Sequence, residues 1–183
     1  VLIPGLMGSL SAIVEALTSG EVIAYPTEGV WGMGCDPSNL TAVRKLISLK
    51  SRSEGKGFIL VGSQLFHFNK YAEVEANEVK LLSKWPGPHT WLVPALNISP
   101  LLTGGSKKVA LRLSEHKEVV AICNEFGGAI LSTSANKEGE STLLEASDIK
   151  KVFPDVKVMQ GNLGGFSKPS TIEDLMTGEV IRG

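Results

Sequence analysis

Cysteine is scarce: the 183-residue chain has two, Cys35 and Cys123, far apart and without a neighbouring Cys or His at metal-ligand spacing. That argues against a disulfide framework and a structural zinc site, and it fits a reducing, cytoplasmic setting. Long apolar runs are missing too, since stretches such as residues 22–25 and 59–61 fall far short of the roughly 20 residues that span a bilayer. No membrane segment is expected, and residues 1–6, mildly apolar but lacking a basic flank, do not read as a signal peptide. Neither charge sign dominates: 18 Lys and Arg stand against 19 Asp and Glu, a formal net charge of -1. So balanced a chain is not a polyanion binder as a whole, and any nucleotide or nucleic-acid site has to be a local cluster.

Several catalytic signatures are absent as well. There is no Gly-x-x-x-x-Gly-Lys-Ser/Thr loop, no complete Gly-x-Gly-x-x-Gly fingerprint, no Gly-x-Ser-x-Gly elbow and no His-Glu-x-x-His pair. His67, His89 and His116 are scattered and read as surface or packing residues; no metal-ligand set is predicted. Repeats, heptads and low-complexity tracts are also missing. What remains is an ordinary globular balance, 43% hydrophobic and 20% charged, at a length that suits one core.

Leu10, Ile13, Val14 and Leu17 recur at helical spacing behind Ser9, a predicted N-cap, and Gly20 ends the segment. Residues 21–25 read as a short buried strand ended by Pro26, which delivers Thr27 and Glu28 to a glycine-rich loop holding Gly29, Gly32 and Gly34. Leu40, Val43, Leu46 and Ile47 mark a second amphipathic helix, joined by a basic loop to a strand at 58–61. Further helices are predicted at 78–85 and 114–126, and strands at 90–93, 109–113 and 129–132, before a polar loop at 133–141. This alternation predicts an α/β fold, a single-domain twisted sheet of mixed parallel and antiparallel strands with flanking helices. Residues 9–183 are expected to form that domain and residues 1–8 an N-terminal extension or remnant, with Met7 a candidate start.

Three clusters bear chemistry. Lys50, Arg52 and Lys56, with Arg44 and Lys45 upstream, suit phosphate oxygens, Arg as a planar fork and Lys as a mobile charge. They equally suit a solvated helix C-terminus. The hydroxyls and amide of Ser132, Thr133, Ser134 and Asn136 follow an apolar strand, where α/β sheets bind ligands, although such residues also build turns. Around Thr27 the glycines permit close backbone approach to a ligand, or simply form a turn beneath Trp31. Arg112, Ser170 and Arg182 are weaker candidates.

Six ordered segments resemble the YrdC family in its short bacterial form: VIAYPTEGVWGMGCDP (residues 22–37), LKSRSEGKGFILV (49–61), WPGPHTWLVPA (85–95), VALRL (109–113), STSAN (132–136) and KPSTIED (168–174). The resemblance runs from about residue 9 to residue 183 and implies a concave cavity in the sheet. It also implies synthesis of threonylcarbamoyl-adenylate from L-threonine, bicarbonate and ATP, with Mg²⁺ accompanying ATP, for modification of tRNA beside the anticodon. Partner proteins would complete the transfer, and no further C-terminal domain is expected.

By the same resemblance Lys50, Arg52 and Lys56 are catalytic, and Arg52, Lys56, Ser134, Asn136 and Arg182 bind nucleotide. Thr27, Arg112, Ser132 and Ser170 would meet threonine. Ser53, Lys108 and residues 137–141 depart from the family pattern, and the last of these form a candidate lid. Two other readings stay open: a binder of double-stranded or ribosomal precursor RNA, which would weaken steeply with salt, and a carbamoyl-adenylating relative like the YrdC-like domain of hydrogenase maturation proteins.

Overall fold

The computed structural model describes residues 8–166 and 169–182. Residues 1–7 of the expected extension, and Lys168 of the KPSTIED segment, lie outside them. Gly8 is tied to the fold, its N–H donating to the Val158 carbonyl at 2.7 Å.

Helix α1 (Leu10–Thr18) starts where Ser9 accepts the Ala12 N–H and ends before Gly20, whose φ of 77° suits a residue without Cβ. The chain then runs β1 (Ile23–Pro26), β2 (Trp31–Gly34), α2 (Leu40–Lys50), β3 (Ile59–Gly62) and α3 (Glu78–Leu82). It continues through β4 (His89–Pro94), α4 (Pro100–Thr103), β5 (Lys108–Leu113), α5 (Lys117–Phe126) and β6 (Ile130–Ser134), and finishes with α6 (Ala146–Val152), β7 (Lys157–Val158), β8 (Thr171–Asp174) and β9 (Val180–Arg182). Among the described residues the strands form one sheet in the order β7-β1-β2-β6-β3-β5-β4-β8-β9. Three parallel pairs (β1 with β7, β3 with β5, β4 with β8) sit among five antiparallel ones, the mixed sheet expected.

Two expectations need correction. The glycine-rich segment after Pro26 is not all loop: β2 pairs with β1, Ile23 opposite Gly34 and Pro26 opposite Trp31. Its glycines answer a packing demand, because a Cβ on Gly34 would come within 1.7 Å of the Leu131 carbonyl oxygen on β6. The helix predicted over 78–85 is only α3, and the one predicted from 114 starts at Lys117, because Ser114 Oγ accepts the His116 N–H at 3.1 Å in a turn. The three histidines, expected as surface or packing residues, are all buried.

Strand alternation sends side chains to two faces. On one, Ala24, Met33, Leu60, Leu111 and Leu131 pack with Leu46 of α2, Trp85 and Trp91 in the larger core. On the other, Ile23, Tyr25, Val61 and Ile130 meet Ile13 and Leu17 of α1 and Val119, Ile122 and Cys123 of α5. Both cysteines are unpaired and buried, and burial pushes their thiols up to about 12. No helix among the described residues is long and apolar enough to cross a membrane.

Candidate active site

Helices α1 and α5 cover only part of their face of the sheet. Beyond Val119 the face is open, and the strand positions that would otherwise enter a core line a cavity of about 780 Å³: Ile59 on β3, Leu92 on β4, Ala110 and Arg112 on β5, Ser132 and Ser134 on β6. The volume lies within the usual range for ligand pockets, roughly 300–1,000 Å³. Its described lining carries four cations, Arg52, Lys108, Arg112 and Arg182, and one carboxylate, Glu28. A near-neutral chain thus concentrates positive charge in one concavity, as a polyanion site requires.

The rim nearest α2 is set by that helix's last turn. Ser51 adopts a left-handed conformation (φ 51°), and the Arg52 N–H reaches back to the Ile47 carbonyl at 3.0 Å, so the chain reverses and Arg52 turns into the cleft. There its Nη2 donates to the Gly57 carbonyl at 2.7 Å and the guanidinium lies 4.7 Å from the centre of the Phe58 ring. Burial lowers its pKa, and its buried Nε has no hydrogen-bond partner among the described residues.

Lys50, Lys56 and Asn136 do not line the cleft. Lys50, 2% exposed, turns under the rim and donates to the Ser134 and Asn136 carbonyls. Burial, then the nearby Arg52, brings its ammonium down to about 8. Asn136 is spent on shape: Oδ1 accepts Ser134 Oγ at 2.6 Å, while Nδ2 donates to the Lys137 and Glu140 carbonyls. Lys56 pairs with Glu138, which also accepts the Ser53 N–H at 3.0 Å, and the Glu138 N–H donates to the Lys50 carbonyl at 2.8 Å. Residues 137–141, the lid candidate, are therefore latched to the basic loop.

At the other side Thr27, Arg112, Ser170 and Arg182 come together with Glu28 and Ser114. The Thr27 hydroxyl donates to the Val30 carbonyl at 2.6 Å, closing the β1–β2 turn and leaving its oxygen to act as an acceptor. Arg112 ion-pairs with Glu28 at 2.7 Å. Arg182 wraps Ser170, donating to its carbonyl at 2.8 and 3.1 Å, and Ser170 Oγ shares a hydrogen bond with Thr90. Burial, then the charge of Arg112, lowers the Arg182 pKa.

Sequence reading missed Glu28, Ser114, Phe58 and Glu138. A signal was present for Glu28, a carboxylate adjoining Thr27 at the end of a buried strand, but none for Glu138, whose partners lie more than 80 residues away. Among the described residues no group of three or more His, Cys, Asp or Glu is gathered where it could hold a metal ion.

A family model described as telomere recombination, the Sua5/YciO/YrdC domain, matches residues 15–183. The chain is 43% identical over 173 residues to the threonylcarbamoyl-AMP synthase of Chromohalobacter salexigens, covering 92% of this chain and 94% of that protein. Its counterpart in Photobacterium profundum is 40% identical over 183 residues, 96% and 99% of the two chains. Among solved structures, P. abyssi Sua5 complexed with L-threonine superposes with a TM-score of 0.85 at 23% identity, over 93% of this chain and 52% of that one. The present chain therefore spans about half the length of that Sua5 protein. E. coli YciO superposes with a TM-score of 0.80 at 24% identity, over 94% and 87% of the respective chains. These structures share the fold, while the closer sequence relatives and the domain match carry the kinship: the chain belongs to the Sua5/YciO/YrdC family.

Proposed function

We propose that the protein is a threonylcarbamoyl-AMP synthase, an adenylyl-transferring enzyme that joins L-threonine, bicarbonate or carbon dioxide, and ATP. The observation that carries this reading is the cationic cavity beside a row of hydroxyls on an otherwise apolar open face. Relatives with about two-fifths identity over nearly the whole chain bear that name.

The reaction needs little covalent help from the protein. Threonine's amine forms an N–C bond to carbon dioxide, a carbamate oxygen attacks the α-phosphorus of ATP, and the α,β-bridging P–O bond breaks to release pyrophosphate. Positioning and charge stabilisation then dominate. In our reading Arg52 and Arg182 meet the nucleotide's phosphates, Arg112 meets the threonine carboxylate, and Ser132, Ser134, Ser170 and the Thr27 oxygen orient the reacting groups. Lys50 and Asn136 act from behind, holding the Ser134 loop, and Lys56 joins the phosphates once freed from Glu138. Mg²⁺ enters with ATP as part of the substrate. The adenylate would pass to partner proteins that modify tRNA beside the anticodon, in a cytoplasmic setting that suits two unpaired buried thiols.

The test is pyrophosphate release with MgATP and bicarbonate, with threonine, serine or no amino acid, and with labelled bicarbonate to follow carbon into the product. Threonine-dependent release with label in the adenylate is expected. Release without threonine, or none together with salt-sensitive binding of duplex RNA, would overturn the reading. Arg52→Ala is expected to lose about 10²-fold or more in turnover with its melting temperature retained; near-normal turnover would remove Arg52 from the phosphate site.

A further inference from the structure

We infer that Glu28 is a positioning residue for amino-acid recognition, holding the Arg112 guanidinium so that one edge is presented to the substrate carboxylate. The inference deepens the proposed function and rests on it. Glu28 is the sole carboxylate in the described lining of the cleft, yet the residue is 6% exposed. Both of its oxygens are engaged: Oε2 lies 2.7 Å from Arg112 Nη2 and Oε1 accepts Ser114 Oγ at 2.6 Å. Ser114 is itself fixed, its N–H donating to the Gly62 carbonyl at 2.9 Å. Arg112 Nε donates to the Gly87 carbonyl at 3.3 Å.

These contacts hold the guanidinium by two of its three nitrogens. Among the described residues Nη1 has no hydrogen-bond partner, so its two N–H groups are the edge available for an incoming carboxylate. Glu28 is clamped in turn by its own backbone. Its carbonyl accepts the Phe166 N–H at 2.8 Å, and a Cβ on Gly164 would lie 2.8 Å from its Cα, so the strap at residues 161–166 allows little shift. Without Glu28, Arg112 would lose its paired anion while keeping Arg182 as a like-charged neighbour, and the fork would lose its orientation. A carboxylate locked this way is occupied by Arg112 and Ser114 and is not placed as a base for the threonine amine.

The experiment measures threonine affinity by calorimetry, and the KM for threonine and for MgATP from pyrophosphate release, for wild type, Glu28→Gln, Ser114→Ala, Arg112→Ala and the Glu28→Gln/Arg112→Ala double variant. Glu28→Gln is expected to weaken threonine binding and raise its KM by about 10-fold or more while the KM for MgATP stays within about 2-fold. Ser114→Ala, a milder change, should move threonine in the same direction. The double variant should be no worse than Arg112→Ala alone, because Glu28 acts through Arg112. An unchanged threonine KM in Glu28→Gln, equal losses for both substrates, or additive losses in the double variant would overturn the role. Wild-type protein that binds no threonine and releases no pyrophosphate would instead remove the proposed function, and this role with it.

Discussion

Lys50 carries a positive charge to a place nearly closed to water, and two carbonyls hold it there. Its ammonium titrates at about 8 instead of its ordinary 10.5, burial being the first cause. The folded state therefore binds fewer protons than the unfolded chain between those values, so folding stability rises with pH across that window. Relative to Lys50→Met, which has nothing to titrate there, wild type should gain on the order of 2 kcal/mol between pH 8 and pH 10.5 in denaturant titrations. Glu138 acts in the same sense at acid pH, here by favouring its charged form: the Lys56 hydrogen bond lowers its pKa, so the latch is present above the ordinary carboxylate range and is lost as pH falls through the lowered value. In the proposed reaction ATP's phosphates would compete with that carboxylate for Lys56. Glu138→Gln should lower the KM for MgATP by about 2- to 5-fold at low ionic strength, with the difference shrinking as salt screens the exposed pair.

At the scale of elements, β2 shows what the sequence concealed. Its WGMG run carries the turn-forming residue twice in four positions, so local propensity argues for a loop. The strand exists because its neighbours demand closeness: β6 passes so near Gly34 that no side chain fits between them. Gly34→Ala should cost about 3 kcal/mol in chemical unfolding, while Gly128→Ala, whose added Cβ meets nothing nearer than 4.0 Å, should change stability by less than about 0.5 kcal/mol. Helices α1 and α2 were legible because apolar spacing and N-caps are local, Ser9 and Asn39 each accepting an N–H three residues on. Strands β7, β8 and β9 were not: they are two to four residues long, β7 and β8 lie against β1 and β4 far away in sequence, and β9 pairs with β8 at the sheet edge. The same holds within the site. Motif resemblance pointed to Lys50, Lys56 and Asn136 as readily as to Arg52 and Ser134, but spacing along the chain does not say which of them turns inward.

For the whole molecule, the near-neutral net charge coexists with a cleft in whose described lining four cations accompany one carboxylate. Ligand binding should therefore appear as stabilisation of the whole fold, since one sheet supplies the floor. At about 100 times its dissociation constant, MgATP should raise the melting temperature by about 5–10 °C. Threonine at the same excess should give a shift that Arg112→Ala removes and that Ser63→Ala, at an exposed hydrogen bond to Asn124 away from the cleft, preserves.

The strand order also bears on how the protein emerges from the ribosome. β1 finds its outer neighbour in β7, with Ile23 beside Lys157, and β4 finds its own in β8, with His89 beside Thr171. A nascent chain made only through β6 already holds Arg52, Arg112 and Ser134, but it lacks both flanking strands and the Arg182–Ser170 clasp. Such long-range pairings form slowly and late. Ligand competence should thus arrive in a single step once β7, β8 and β9 have been made, and a stalled chain halted after β6 should retain neither nucleotide nor amino acid.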